Sequence, residues 1–388
     1  MKPYLLLMAL VALDIWATRF VSRSTLPPRV RGLLITFVWM VPLLGAWIAV
    51  SQSRTPKVPK APDPPPDREP APGELSLPVM PPFSIAENLL DGQGFPILDW
   101  KKLADWSASA PTPEQASAAI ELGRRAWLLH MRESLSEYAH LLETGEAWVL
   151  SSYETKVALA AARFVATARQ RISGVLDGVA RFPAGSRSIL VVFDNQDQYY
   201  RYVTNYYPEE GEFAFSSGIF VDPGCPHFVT VLDDLATIEP VIAHEMTHSA
   251  LAYLGLPRWL DEGIAVSTEQ QVSMSHRYPS AQIELMNKHR EFWNTERMQE
   301  FWSGESFHRT DDGNSLSYDL ARSIVALTGR EWPTFTKFVL AAKRADAGAA
   351  AAMTALNLDL GELAAAALRL PRQADWSPNP SAWRGPVS

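Results

Sequence analysis

The segment His244-Glu245-Met246-Thr247-His248 sets the strongest condition on how this 388-residue chain folds. Two histidines four apart project from one face of an α-helix, so both imidazoles reach a single ion. Pro240 suits the first turn of such a helix, Leu254-Gly255 suits its end, and Pro257 follows as a stop. The spacing therefore predicts a helix over 240–254, with Val241, Ile242, Met246 and Leu251 available for burial. The bland alternative is a pair of satisfied histidines on a core helix. Burying two imidazoles beside a glutamate without a partner is costly, and this favours an ion.

A catalytic zinc ion usually takes three protein ligands and keeps one position open. Glu262 stands fourteen residues after His248, within Pro257-Arg258-Trp259-Leu260-Asp261-Glu262-Gly263-Ile264-Ala265. Pro257 initiates a second helix, which Trp259, Leu260 and Ile264 pack against the first, and Gly263 permits a close approach. Asp261 competes by type, but its neighbouring position turns it away by about 100°. Glu245 is offset from the two histidines and faces a water rather than the ion. The single cysteine, Cys225, excludes a multi-cysteine metal site; it is either an inhibitory ligand or an inert buried thiol.

Elsewhere the period of the apolar residues changes along the chain. Residues 113–142 and 155–179 carry helical spacing, 188–193 (SILVVF) reads as a buried strand, and 197–203 as a brief helix. Strands follow at 218–221 and 227–232, and the chain is helical again from 239. Helices, then strands, then helices imply an α+β fold with a small sheet. A net charge of −8 argues against a nucleic-acid partner, because phosphates require clustered Lys and Arg.

The N-terminus differs. Residues 33–50 form an uncharged apolar run of 18 residues, long enough to span a bilayer. Residues 4–17 are apolar apart from Asp14, and Arg19, Arg23, Arg29 and Arg31 crowd the connection between the two. A cleavable signal peptide is the alternative for the first segment, but no small-residue cleavage site follows it. A transmembrane hairpin over 1–52 is the reading adopted, with its arginine-rich loop cytoplasmic and both termini outside. Between 56 and 82, eleven of 27 residues are proline, so 53–82 is expected to be an extended spacer. The Pro-rich tail at 371–388 is expected to be disordered.

HExxH followed by PxWLxEGxA resembles the gluzincin metallopeptidases, which include thermolysin and the aminopeptidase N family, and more closely the bacterial peptidase MA-like domains. The resemblance covers about 187–370 and includes ILVVFDNQDQYYRYV, GIFVDPG, HFVTVL and SYDLARSIVALTG. It implies a zincin-like metallopeptidase domain with a small mixed sheet over 184–370; the helical spacing ahead of it makes 83–183 a helical region. It implies Zn2+ held by His244, His248 and Glu262, and Glu245 as the general base that passes a proton to the leaving amine. Tyr318 matches the oxyanion-stabilising tyrosine of aminopeptidase-like relatives, with a core-facing tyrosine as the alternative; His308 is the runner-up. His276 and His289 are expected at the surface. In this group an edge strand at the cleft pairs with extended peptide, a role implied here for 227–232. The GxMEN element of aminopeptidases is missing, which favours endopeptidase cleavage. The N-terminal hairpin (RGLLITFVWMVPLLGAWIAV) also resembles that of phospholipase-D-type cardiolipin synthases, whose HxK signature is absent downstream.

The expectation is thus a membrane-anchored zinc metallopeptidase of the bacterial inner membrane, with the catalytic domain periplasmic and a peptide or protein as substrate. The competing readings are a catalytically silent zinc-binding regulatory or interaction module and a membrane-associated scaffold without metal.

Overall fold

The computed structural model describes residues 68–182, 187–207, 218–273, 279–371 and 374–383, together with residues 18, 19 and 22. The expected hairpin over 1–52 lies outside the described residues apart from those three positions. Among the described residues, no single helix is long and apolar enough to cross a membrane.

The fold is α+β. Two small antiparallel hairpins come first, β1 (Glu74–Leu75) with β2 (Phe83–Ser84) and β3 (Leu89–Gly92) with β4 (Phe95–Leu98). Helices α1 (Trp100–Ala108) and α2 (Pro113–Glu133) follow, their N-termini capped by the side chains of Asp99 and Thr112. Next come β5 (His140–Glu143), β6 (Ala147–Ser151), α3 (Thr155–Val175), β7 (Ser188–Phe193), α4 (Gln196–Val203), β8 (Gly218–Val221) and β9 (His227–Val231). The rest is helical: α5 (Leu235–Leu251), α6 (Arg258–Val272), α7 (Pro279–Phe292), α8 (Thr295–Ser303), α9 (Asp312–Thr328), α10 (Trp332–Ala341), α11 (Ala349–Leu356) and α12 (Leu360–Leu368).

One five-stranded sheet runs in the order β5-β6-β7-β9-β8. The central pairs β6–β7 and β7–β9 are parallel and the outer pairs are antiparallel, so the sheet is mixed. Its two faces feed two cores, which explains why β7 is apolar at nearly every position. Leu190 and Val192 pack with α3, α5 and the later helices, whereas Ile189, Val191 and Phe193 pack with the residues of β4, α1 and α2.

Four expectations are corrected here. The region 83–183 is not purely helical, because β5 and β6 belong to the same sheet as β7 and cross the expected boundary. Helix α2 stops at Glu133, and residues 140–143, expected in its tail, pair with β6. The spacer does not extend to 82: Leu75 is buried, and Glu69 pairs with Arg125 at 2.7 Å. Arg68 donates to the Ala139 carbonyl at 3.2 Å, so the chain is folded onto the body from 68 onward. The tail is ordered over 374–383, where the Trp376 ring is buried and its carbonyl accepts from Trp302 Nε1 at 2.7 Å. Proline content misled at both ends, since a segment poor in donors still packs when its few large apolar side chains find a groove.

A fifth difference concerns the sheet edge. β9 is internal, paired by β7 on one side and β8 on the other, and among the described residues the short β8 is the outer strand. The edge role implied for 227–232 therefore does not fit β9.

Candidate metal centre

Helix α5 begins at Leu235, earlier than expected, because Asp234 caps it by accepting from the Thr237 backbone N–H at 2.9 Å. Pro240 then falls inside the helix rather than at its first position. Ile242, Met246 and Ala250 are buried in the core, which fixes the rotation of the helix. His244 and His248 lie one turn apart, with their Nε2 atoms 3.1 Å from each other.

Helix α6 starts directly after Pro257, and Trp259 anchors it. The indole is fully buried, stacks edge-on to Trp302 and donates to the Ala347 carbonyl at 2.9 Å. This brings Glu262 Oε2 to 3.3 Å from His244 Nε2 and 3.4 Å from His248 Nε2. Gly263 does permit a close approach, although its tightest neighbour is α9. A Cβ at Gly263 would lie 2.7 Å from the Ala321 carbonyl oxygen.

The three donor atoms lie within 4.8 Å of one another. A carboxylate stands behind each ring: Glu269 Oε2 is 3.2 Å from His244 Nδ1, and Asp261 Oδ2 is 3.0 Å from His248 Nδ1. An ionised carboxylate only accepts, so each Nδ1 carries a proton and each Nε2 is left with its lone pair. Two lone pairs and the buried Glu262 Oε2, which has no properly formed hydrogen bond, therefore face one point. Such a cluster can hold a cation at its centre. The residues present fit a divalent ion held by two imidazoles and one carboxylate, and nitrogen-rich donor sets of this kind suit zinc.

The electrostatics agree. Burial opposes charging of His244, yet Glu262 and Glu269 raise its pKa to about 9. Burial likewise opposes the shift at His248, but Asp261 and Glu262 hold it well above the ordinary imidazole range. Glu262 is pulled well below the usual carboxylate range by the two imidazoles, against the effect of burial.

Glu245 lies within electrostatic reach of both imidazoles, and its Oε2 accepts from the Phe220 backbone N–H at 2.7 Å. Burial raises its pKa, although the neighbouring imidazoles work against this. β8 lies directly against α5, for a Cβ at Gly218 would collide with Val241 Cγ1. The strand beside Glu245 is thus β8.

Both candidates for a further donor lie near Glu262. Burial and the Glu262 carboxylate keep the Tyr318 hydroxyl protonated, and its ring packs edge-on to Phe307. Burial and the Arg258 guanidinium pull His308 down to about 4. His308 Nε2 accepts from Arg258 Nη1 at 2.9 Å, so that nitrogen has no proton to offer.

No family model, curated protein or solved structure matches this chain.

Two other residues stand apart from this centre. Cys225 is buried under Arg124 Nε at 3.3 Å in the other core, and this removes it as an inhibitory ligand. His289, expected at the surface, is buried and lies 3.1 Å from Asp319 Oδ2. His276 lies outside the described residues.

Three residues escaped the reading of the sequence. Glu269 was detectable, since it follows Glu262 by seven positions and shares its helix face. Asp261 was weighed only as a rival ligand, although its turn away from Glu262 is what lets it support His248. Arg258 lies 3.7 Å from Glu262 Oε1 and also bonds the Tyr318 hydroxyl. No local spacing announces it.

Proposed function

We propose that the protein is a zinc-dependent endopeptidase anchored to a membrane by its N-terminal segment. The observation that carries this reading is the convergence of His244 Nε2, His248 Nε2 and Glu262 Oε2 within 4.8 Å, with Glu245 left outside the cluster. A purely structural zinc site is closed by four ligands and needs no adjacent base. When bound there, zinc supplies a Lewis acid for a carbonyl oxygen and brings the ionisation of a water toward neutral pH. Glu245 takes a proton from the attacking water and delivers it to the leaving amine. Its raised pKa suits both transfers. Tyr318, which keeps its proton, donates to the developing oxyanion, and Arg258 orients it.

The edge strand β8 replaces β9 as the strand on which extended peptide would lie. The missing GxMEN element leaves nothing to select a free amino terminus, in keeping with cleavage inside a chain. The zincin-like fold of the body belongs to the same proposal. Membrane anchorage rests on the uncharged run at 33–50 and its arginine-rich approach. A reporter fused after Val50 tests whether the body faces away from the cytoplasm.

The decisive experiment uses the purified full chain. About one equivalent of zinc is expected, with chelator-sensitive cleavage in an unbiased peptide library. Glu245→Gln is expected to keep the metal and lose cleavage by two orders of magnitude or more. Zinc below about half an equivalent would favour the metal-free scaffold, by the ligand requirement of a catalytic site. Bound zinc with no cleavage of any peptide would favour the silent module.

A further inference from the structure

Helix α5 and strand β8 advance together. Gly218 abuts Val241, and the Phe220 N–H meets Glu245, so two residues of strand match four of helix. Two strand residues rise about 6.6 Å and four helix residues about 6 Å, so the two elements stay in step. The next pair in the series is Asp222 with Ser249. Both line a cavity of about 700 Å3 at the end of the sheet, where β8 finishes and β9 begins. Its volume falls in the range of sites that enclose a ligand.

Arg124, Arg169, Arg181 and Arg187 line this cavity among aromatic side chains. Arg124 and Arg187 share one carboxylate, Glu121, at 3.0 and 2.7 Å. Arg169 lies 4.9 Å from the Phe182 ring centroid and feels Glu146. Arg181 lies 4.3 Å from the Tyr253 ring centroid and makes no ion pair among the described residues. Four guanidiniums thus line the cavity, with Asp222 the one acidic lining residue among the described residues, in a chain whose net charge is −8. Against that overall charge, a cationic hollow beside the edge strand concentrates anionic groups.

We propose that this cavity is a substrate subsite that receives an acidic side chain about two residues from the bond that is cut. The proposal rests on the peptidase reading above. A peptide laid along β8 past Glu245 reaches the cavity after one helical turn of α5. Apolar walls then desolvate the carboxylate while guanidinium groups pair with it, and charge-assisted hydrogen bonds are the strong ones.

The test uses the zinc-loaded full chain and fluorogenic peptides that carry Glu, Gln or Lys at each position around a known cleavage point. Glu two residues from that point is expected to raise kcat/KM about tenfold over Gln, and the preference should shrink at high salt. Arg181→Gln, at an exposed position outside the catalytic cluster, should bring the Glu peptide to within about twofold of the Gln peptide and leave the latter unchanged. Arg169→Gln serves as an independent second variant. Equal rates for the Glu and Gln peptides, or a preference that survives both variants, overturn the subsite while leaving the peptidase reading intact. Binding of the same peptides to the Glu245→Gln chain, read by fluorescence anisotropy, separates the two claims. Acid-selective binding lost in Arg181→Gln, with no cleavage by the parent chain, supports the cavity and sinks the peptidase. Arginine-dependent binding to vesicles of acidic phospholipid, without selectivity among peptides, overturns the subsite.

Discussion

The carboxylates behind the imidazoles decide what His244 and His248 present to an ion. Asp261 and Glu269 each hold a proton on Nδ1, at 3.0 and 3.2 Å, which fixes the tautomer and leaves Nε2 as the donor. Asp261→Asn and Glu269→Gln are therefore expected to weaken zinc binding by about 10- to 100-fold each, with the fold intact. Competition against a chromophoric chelator measures this, and unchanged affinity in both variants means the carboxylates do not orient the rings. At this scale His244, His248 and Glu245 were legible because one helical period sets their relation, and Glu262 because Pro257 opens the helix that carries it. Arg258 was not, because its partner His308 lies fifty residues further along and only tertiary packing joins them.

Among the elements, the meeting of α6 and α9 has the sharpest consequence. Helix propensity alone says that Gly263→Ala stabilises α6 by about 1 kcal/mol. The contact says the opposite, since the new methyl would lie 2.7 Å from the Ala321 carbonyl oxygen and 2.8 Å from its carbon. Backbone atoms do not rotate away, so the helices must separate, at a cost of about 1–3 kcal/mol. We expect Gly263→Ala to lower Tm and, because Glu262 is the adjacent residue, to weaken zinc binding as well. A raised Tm would show that propensity dominates. Sequence periodicity located β7, β8 and β9 because their apolar runs are bounded by turn residues. It did not give their order. HFVTVL alternates like a strand with one wet face, yet His227 and Thr230 are both buried, each against its own neighbours. β5 and β6 went unread because no glycine or proline separates α2 from the apolar Leu141 and Leu142 that continue its spacing.

For the whole molecule, stability draws on groups far from the proposed metal. Burial pulls His227 down to about 4, assisted by Arg124 and opposed by the Cys225 carbonyl. Its folded pKa lies below its unfolded value, so the unfolded chain binds the extra proton first. Stability is full above about pH 6.5 and falls by up to about 3 kcal/mol as the pH drops toward 4. Thermal unfolding at pH 7 and pH 5 should show this loss, and His227→Gln should flatten it; an unchanged slope places the effect elsewhere. The C-terminal segment acts on the centre more directly. Gly361 brings α12 so close that a Cβ there would lie 2.6 Å from the Ser377 backbone nitrogen, and the neighbouring Trp376 carbonyl accepts from Trp302 Nε1. Trp302 in turn packs edge-on to Trp259, three residues before Glu262 on α6. Trp376→Ala keeps the backbone carbonyl but leaves a cavity next to that relay, costing about 3–5 kcal/mol. For a body of this size the loss corresponds to a Tm lower by about 10 °C. Zinc affinity should fall with it, since α6 then loses the packing that holds Glu262 against the imidazoles. Trp383→Ala, which removes a partly buried indole bonded to Gln299 at 3.1 Å, should cost much less. Equal costs for the two variants would mean that the tail is held along its length rather than through Trp376.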